Sequence, residues 1–406
     1  MQVIEGKNNS AVVYAETIDE SCIEQIKQLL DMECFAGSKI RIMPDCHAGK
    51  GCVIGFTADF KDKVIPNVVG VDIGCGMHTV KLGKVDIDFD RFDSIVREFI
   101  PFGRKVHEGR ITKYPRVTEL KCYRGLRDTK RLIRSLGTLG GGNHFIELDR
   151  DEEGYVYLVI HSGSRNLGLQ VAGYYQDIAH KLQLGWDEFW QEERRVIDEY
   201  KALGKRNEIE AVIKQMRREF KTKTSLIPKD LCYLTGEYVQ DYLDDMRICQ
   251  EFADLNRKLM AKILIEKYGF EPEDEFTTVH NYIDVDCKII RKGAVSAAKG
   301  EKILVPINMR DGSLICIGKG NEDWNCSAPH GSGRILSRSQ AKEQLKFEDF
   351  KKMMDEAGIY STSVKEETID ESPMVYKGIE EIMETIKPTC DVIKIIKPIY
   401  NFKADN

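Results

Sequence analysis

Residues 168–268 read differently from the rest of the chain, and that contrast limits the fold more than any other feature. Glycine is scarce there, Pro228 is the one proline, and charged and apolar residues alternate with the helical period. Three or four helices are predicted across the stretch. Short strand-like runs lie on both sides of it. Before it come 11–15, 39–43, 52–57, 64–71 and 77–82, then 143–148 and 155–160, which read as a hairpin across Asp151-Glu152-Glu153-Gly154. After it come 276–280, 288–292, 302–306 and 313–317, with a strand-like tail over 392–402. A helix is predicted from Thr17, where Thr17 and Glu20 fit a capping box. Two more are predicted after Gly333 and Phe347. Strands on both sides of the helical stretch imply sheets completed late in the chain. The expected fold is mixed α+β: a β-sheet core flanked by helices, one domain over 1–406, with 168–268 as a helical insertion.

Composition narrows the function classes. The 406 residues carry 60 Lys+Arg against 66 Asp+Glu, a net charge of −6, with 42% hydrophobic and 31% charged residues. These values describe a globular protein rather than a disordered or collagen-like one. No apolar run approaches the ~20 residues of a membrane span. Residues 1–10 lack the apolar stretch of a secretory signal, so a cytoplasmic location and no membrane partner are expected. The 12 cysteines contain no C-x-x-C pair, which argues against zinc ribbons and thioredoxin chemistry, and reduced thiols are expected. Charge is unevenly spread. Residues 104–134 hold eleven Lys and Arg against Glu108, Glu119 and Asp128, a local net charge of +8, interleaved with Tyr114 and Tyr123. Such a stretch suits a polyanion, because binding phosphates releases counterions; a solvated surface is the plain alternative.

Five of the eight histidines, His47, His144, His161, His280 and His330, sit in short segments rich in glycine or asparagine. A strand end fixes such a side chain, and glycine lets backbone approach a ligand. The segments are Pro44-Asp45-Cys46-His47, Asp72-Ile73-Gly74-Cys75-Gly76, Gly142-Asn143-His144-Phe145-Ile146-Glu147, His161-Ser162-Gly163-Ser164-Arg165, His280-Asn281 and His330-Gly331-Ser332-Gly333-Arg334. Thiolate, imidazole and carboxylate are ligands for a divalent transition metal, so a metal site assembled from separate strands follows. On a strand, Asn143, Phe145 and Glu147 share one face and His144 the other, so Asn143 and Glu147 are placed for a ligand beside the metal. Arg165 follows His161, and Arg334 follows His330, at the same interval of four across small residues. Guanidinium pairs with phosphate bidentately. The segment after His330 reads as a helix whose N-terminus would add positive potential. Residue types therefore predict a site that handles phosphate with metal and arginine.

Taken together and in order, these segments resemble the RtcB-type RNA-splicing ligases across nearly the whole chain. The resemblance implies an enzyme that uses GTP and manganese, two ions, to join an RNA end bearing a 2′,3′-cyclic phosphate or 3′-phosphate to a 5′-hydroxyl end, in tRNA splicing or RNA repair. It implies that His330 is guanylylated, and that GMP then passes to the RNA 3′-phosphate and leaves when the 5′-hydroxyl attacks. By motif, Asp72, Cys75, His144, His161 and His280 would hold metal, with Asp72 shared between two positions. Asn143, His144, Glu147, Asn281, Ser332, Gly333, Tyr376 and Lys403 would contact the nucleotide, and Arg165 and Arg334 would lie near phosphates. Some family members need an activating protein partner. A Cys/His set favours Zn²⁺ over Mn²⁺ by affinity order, so the metal carried on purification need not be the active one.

The sequence departs from the family pattern at Pro306-Ile307-Asn308-Met309-Arg310, where Pro-Gly-Ser-Met-Gly is usual. Asn308, and Ser313 nearby, keep hydrogen-bonding groups for the nucleotide. The change leaves two other readings open: guanylyl capping of RNA or DNA 3′-ends without ligation, and a non-catalytic RNA-binding metalloprotein.

Overall fold

The strand Val156–Ser162 is buried at every position, as expected for the middle of a sheet covered on both faces. The computed structural model, which describes residues 1–404, places it in a seven-stranded antiparallel sheet. The order across that sheet is Lys302–Asn308, Gly312–Gly318, Cys390–Lys403, Phe145–Arg150, Val156–Ser162, Gly76–Gly83 and Asp274–Val279. The last strand of the chain thus lies near the middle, between elements more than 70 residues upstream on one side and more than 240 on the other. A six-stranded sheet runs Gln2–Glu5, Ser10–Val13, Ile40–His47, Ile54–Asp59, Ile289–Lys292 and Asn281–Asp284. A two-stranded ribbon pairs Ala294–Ser296 with Ser327–Pro329. The fold is mixed α+β, with sheets flanked by helices.

The helical stretch holds four helices, Arg165–Gln183, Trp186–Ala202, Ile209–Glu219 and Glu237–Tyr268. The chain leaves the large sheet after Val156–Ser162 and rejoins it at Asp274–Val279, two strands away. The long helix Glu237–Tyr268 packs on Val156–Ser162 and Gly76–Gly83, burying Phe252, Met260 and Leu264. Among the described residues no helix is long and apolar enough to cross a membrane, and all 12 cysteines are free thiols.

Three local predictions are corrected. The first helix starts at Glu20 with Asp19 as N-cap, so Thr17 and Glu20 do not form a capping box. The run 64–71 is not a strand: Pro66, with its fixed φ, opens the short helix Pro66–Val69. No helix follows His330 directly. Gly333 adopts φ +77°, and the next helix begins only at Arg338. Helix-terminus potential therefore acts elsewhere, at Ser164, where the helix Arg165–Gln183 begins.

Candidate active site

Sheet register assembles the candidate metal-binding side chains. Cys75 immediately precedes Gly76–Gly83, His144 precedes Phe145–Arg150, His161 lies within Val156–Ser162, and His280 follows Asp274–Val279. Met77 and Phe145 both pair with His161, and Gly76 pairs with Val279, so four adjacent strands bring these groups to one sheet end. Cys75 Sγ lies 3.3 Å from His161 Nε2 and 3.5 Å from His144 Nε2, and the three ligand atoms fall within 4.8 Å of one another. His144 Nδ1 donates to Leu139 O at 3.0 Å, and His161 Nδ1 to Asn143 O at 3.1 Å. Those bonds fix the tautomer and leave both Nε2 lone pairs facing the thiol, as a metal-binding histidine requires. The donor set therefore fits a divalent transition ion. Asp72 Oδ2 lies 3.1 Å from His144 Nε2, and its Oδ1 accepts from Ser164 N at 3.0 Å. The His280 ring neighbours His161 (5.3 Å between centroids) and His330 (4.8 Å), outside the tight set of three. Burial, with the neighbouring histidines, holds His161 and His280 well below the usual imidazole range, and burial beside Asp72 pushes the Cys75 thiol well up.

His330 stands on the other side of His280. Its Nδ1 donates to Asp45 Oδ2 at 2.6 Å, and its backbone N–H reaches the same oxygen at 3.1 Å. Asp45 is fully buried. With the ring proton committed to Nδ1, Nε2 keeps its lone pair. The sequence alone assigns Asp45 no role; its one signal is a carboxylate at the end of a largely apolar strand run. Gly333 makes the pairing possible: a Cβ there would lie 2.7 Å from Asp45 Cα.

A cavity of about 340 Å³ extends from His330. Its floor is the face shared by Asn143, Phe145 and Glu147 together with Asn401 and Lys403, which pair across the strands as Asn401 with Glu147 and Lys403 with Phe145. Ser332, Gly333, Arg334 and Tyr376 also line it. Arg334 is held from three sides, donating to Leu336 O, Tyr376 Oη and Asp370 O. Ser332 Oγ donates to Ile307 O at 2.7 Å.

Other expected residues lie differently. Asn281 is not in the cavity wall; its Nδ2 donates to Asp72 O at 3.2 Å and its Oδ1 accepts from Gly293 N, bracing the loop that carries Cys75. Asn308 lines the cavity, but its amide is spent on its own turn: Oδ1 accepts from Arg310 N and Asp311 N, and Nδ2 donates to Asp311 Oδ2. Gly312 lines the cavity and Ser313 does not; Ser313 Oγ is buried without a partner among the described residues. Arg165 is absent from this cavity too. Its guanidinium, bonded to Thr138 Oγ1 and Gly103 O, lines a second cavity of about 470 Å³ with Arg104, Lys105, Arg127 and Arg131. Much of the remaining basic stretch, including Arg110, Lys113, Lys121, Arg124 and Lys130, is exposed. Arg116 pairs with Glu119 and Glu251, and Tyr114 Oη donates to Ile248 O.

A cysteine–histidine cluster, an aspartate-held histidine and two cavities beside them occur here on an RtcB-like arrangement of segments. The family profile described as tRNA-splicing ligase RtcB matches residues 25–124 and 110–404. The chain belongs to the RtcB family. The RNA-splicing ligase RtcB of Escherichia coli (strain K12) is 29% identical over 420 residues, covering 91% of this chain and 91% of that protein. The tRNA-splicing ligase RtcB of Aeropyrum pernix is 25% identical over 456 residues, covering 92% of this chain and 90% of that one. The altered 306–310 segment thus sits within an RtcB family member of nearly full alignment length.

Proposed function

We propose that this chain is a GTP- and manganese-dependent RNA ligase that joins 2′,3′-cyclic phosphate or 3′-phosphate RNA ends to 5′-hydroxyl ends, in tRNA splicing or RNA repair. The observation that carries the reading is His330, locked to Asp45 through Nδ1 at the mouth of a nucleotide-sized cavity beside the metal-ligating cluster. In this reading His330 Nε2 attacks the α-phosphorus of GTP, a P–N bond forms, and pyrophosphate leaves. An oxygen of the RNA 3′-phosphate then takes the guanylyl group as the P–N bond breaks. Finally the 5′-hydroxyl oxygen bonds to the RNA phosphorus, its proton passes to solvent, and GMP leaves. A cyclic phosphate is opened by hydrolysis beforehand. Cys75, His144, His161 and Asp72, with His280 beside them, are the residues that would hold two metal ions; bound there, divalent charge stabilises the phosphoryl oxygens. Asn143, Glu147, Ser332, Gly333, Tyr376 and Lys403 contact the nucleotide. Arg165, Arg104 and Arg127 take the RNA backbone. Residues 1–406 act as one catalytic domain, in the cytoplasm, with 168–268 as its insertion.

The test is labelling with α-labelled GTP and Mn²⁺, beside His330→Ala. The expected result is acid-labile label on the wild type and none on the variant, followed by a sealed product when cyclic-phosphate RNA and 5′-hydroxyl RNA are added. Label without a sealed product would favour end capping. No label on metal-loaded protein would overturn the proposal.

A further inference from the structure

The chain over 371–377 braces the cavity wall twice. Glu371, buried at the close of the 3₁₀ turn Glu366–Glu371, accepts from Lys403 Nζ and Tyr376 Oη, both at 2.7 Å. The second brace is Lys377, a buried lysine outside every motif considered so far. Its Nζ donates to Pro44 O at 3.0 Å, and its backbone N–H donates to Gly333 O at 3.1 Å. Glu381 Oε1, four residues on, lies 3.3 Å from the same Nζ. One residue thus ties the segment that leads into Asp45 to the segment that follows His330.

The tie matters because of how Asp45 is held. Among the described residues both hydrogen bonds to its carboxylate come from His330, and both reach Oδ2; Oδ1 is buried without a partner. The carboxylate is held only by the residue it must orient, so its placement falls to the backbone beneath it. That backbone is irregular. The register of Ile40–His47 against Ile54–Asp59 shifts between Ile42 and His47, and Met43–Cys46 bulge out of that ladder. A bulge re-aims a side chain but gives up ladder bonds that would hold it. Lys377 Nζ supplies a charged donor at that point, from a residue already fixed to Gly333. Gly333 in turn packs against Asp45, with room for no Cβ. We infer that Lys377 is a positioning residue for guanylyl transfer: by holding Pro44 O and Gly333 O together it keeps Asp45 on His330 Nδ1 and Nε2 aimed at the α-phosphorus. The inference rests on the nucleotide-transfer reading above.

The experiment is a double-mutant cycle. Single-turnover labelling with α-labelled GTP is followed on metal-loaded wild type, Lys377→Met, Asp45→Asn and the double variant. Lys377→Met lowers the maximal labelling rate by about 10- to 10²-fold, while the GTP concentration for half-maximal rate and the metal content stay within about twofold. In the Asp45→Asn background the same change costs less than about threefold, because the group that Lys377 positions is already lost. Glu381→Gln removes the outer ion pair, leaves Nζ on Pro44 O, and stays within about threefold of wild type. Lys377→Arg keeps charge and donors but moves them, and carries the same cycle if Lys377→Met fails to fold. A purely structural lysine would cost the same in both backgrounds, and that result would overturn the inference. So would folded Lys377 variants that label at the wild-type rate, or a loss in Glu381→Gln as large as theirs. Metal-loaded wild type that takes no label would overturn the nucleotide-transfer reading and this inference with it.

Discussion

One proton decides what His330 can do. Asp45 takes the Nδ1 hydrogen at 2.6 Å and so leaves the Nε2 lone pair free for the attack proposed above. Asp45→Asn keeps the shape but offers the wrong partner, and the rate of guanylyl transfer to His330 should fall about 10²- to 10⁴-fold while metal content stays unchanged. Single-turnover labelling measures it. Cys75 makes a second residue-level prediction. Its thiol is raised by burial and by Asp72, while His161 and His280 are already neutral. In the proposed site, metal uptake at neutral pH then expels the Cys75 thiol proton. Calorimetry in buffers of different ionisation enthalpy should report about one proton released per ion held by Cys75, and apparent affinity should rise about tenfold per pH unit while the thiol remains protonated. Glu371 behaves in the opposite sense. Its carboxyl is depressed from 4.5 to about 2, so its stabilising effect is complete above pH 4.5 and is lost as pH falls through about 2. The thermal midpoint of Glu371→Gln should therefore depend less on pH across that window than the wild type's.

Among elements, the helix Glu237–Tyr268 does more than cover the sheet. Asn256 Nδ2 donates to Thr138 O, Ser162 Oγ and Gly163 O, and its Oδ1 accepts from Thr138 N. Arg257 Nη1 donates to Gly74 O and Ser162 O, both at 2.8 Å. Two consecutive buried residues thus tie together the loops bearing Cys75, His144 and His161. Asn256→Ala leaves buried backbone groups unpaired. It should cost about 1–3 kcal/mol in a denaturant titration and about tenfold or more in metal affinity by chelator competition. This helix was legible in the sequence from its periodicity; its clamp was not, because Asn and Arg in a charged helix read as surface residues. The hairpin of Phe145–Arg150 and Val156–Ser162 was equally legible, from alternation around a turn. The segment after His330 is not helical because Gly333 needs a left-handed backbone to pass Asp45, a demand made from 288 residues away in the chain.

At the scale of the whole molecule, the fold brings part of the basic stretch 104–134 to the second cavity beside Arg165. Arg116 is paired at the surface with Glu119 and Glu251, and Arg104 and Arg127 line the second cavity with no ion pair among the described residues. Neutralising both as Arg104→Gln and Arg127→Gln should weaken RNA binding at low salt and make the slope of log affinity against log salt shallower by roughly 1.5, with no change in GTP labelling. An unchanged slope would remove this cavity from the RNA path. By itself the sequence determined the α+β character, the helical stretch and the residue types of the site, because periodicity, glycine-flanked histidines and cysteine chemistry are local properties that survive in one dimension. Only the tertiary structure decided that Asp45 holds His330, that Glu371 holds Lys403 and Tyr376, that Asn308 is consumed by its own turn, and that Arg165 faces a different cavity from Arg334. Each of those depends on which strands pair across the sheet and on which polar atoms find partners once buried, and neither is a property of neighbouring residues.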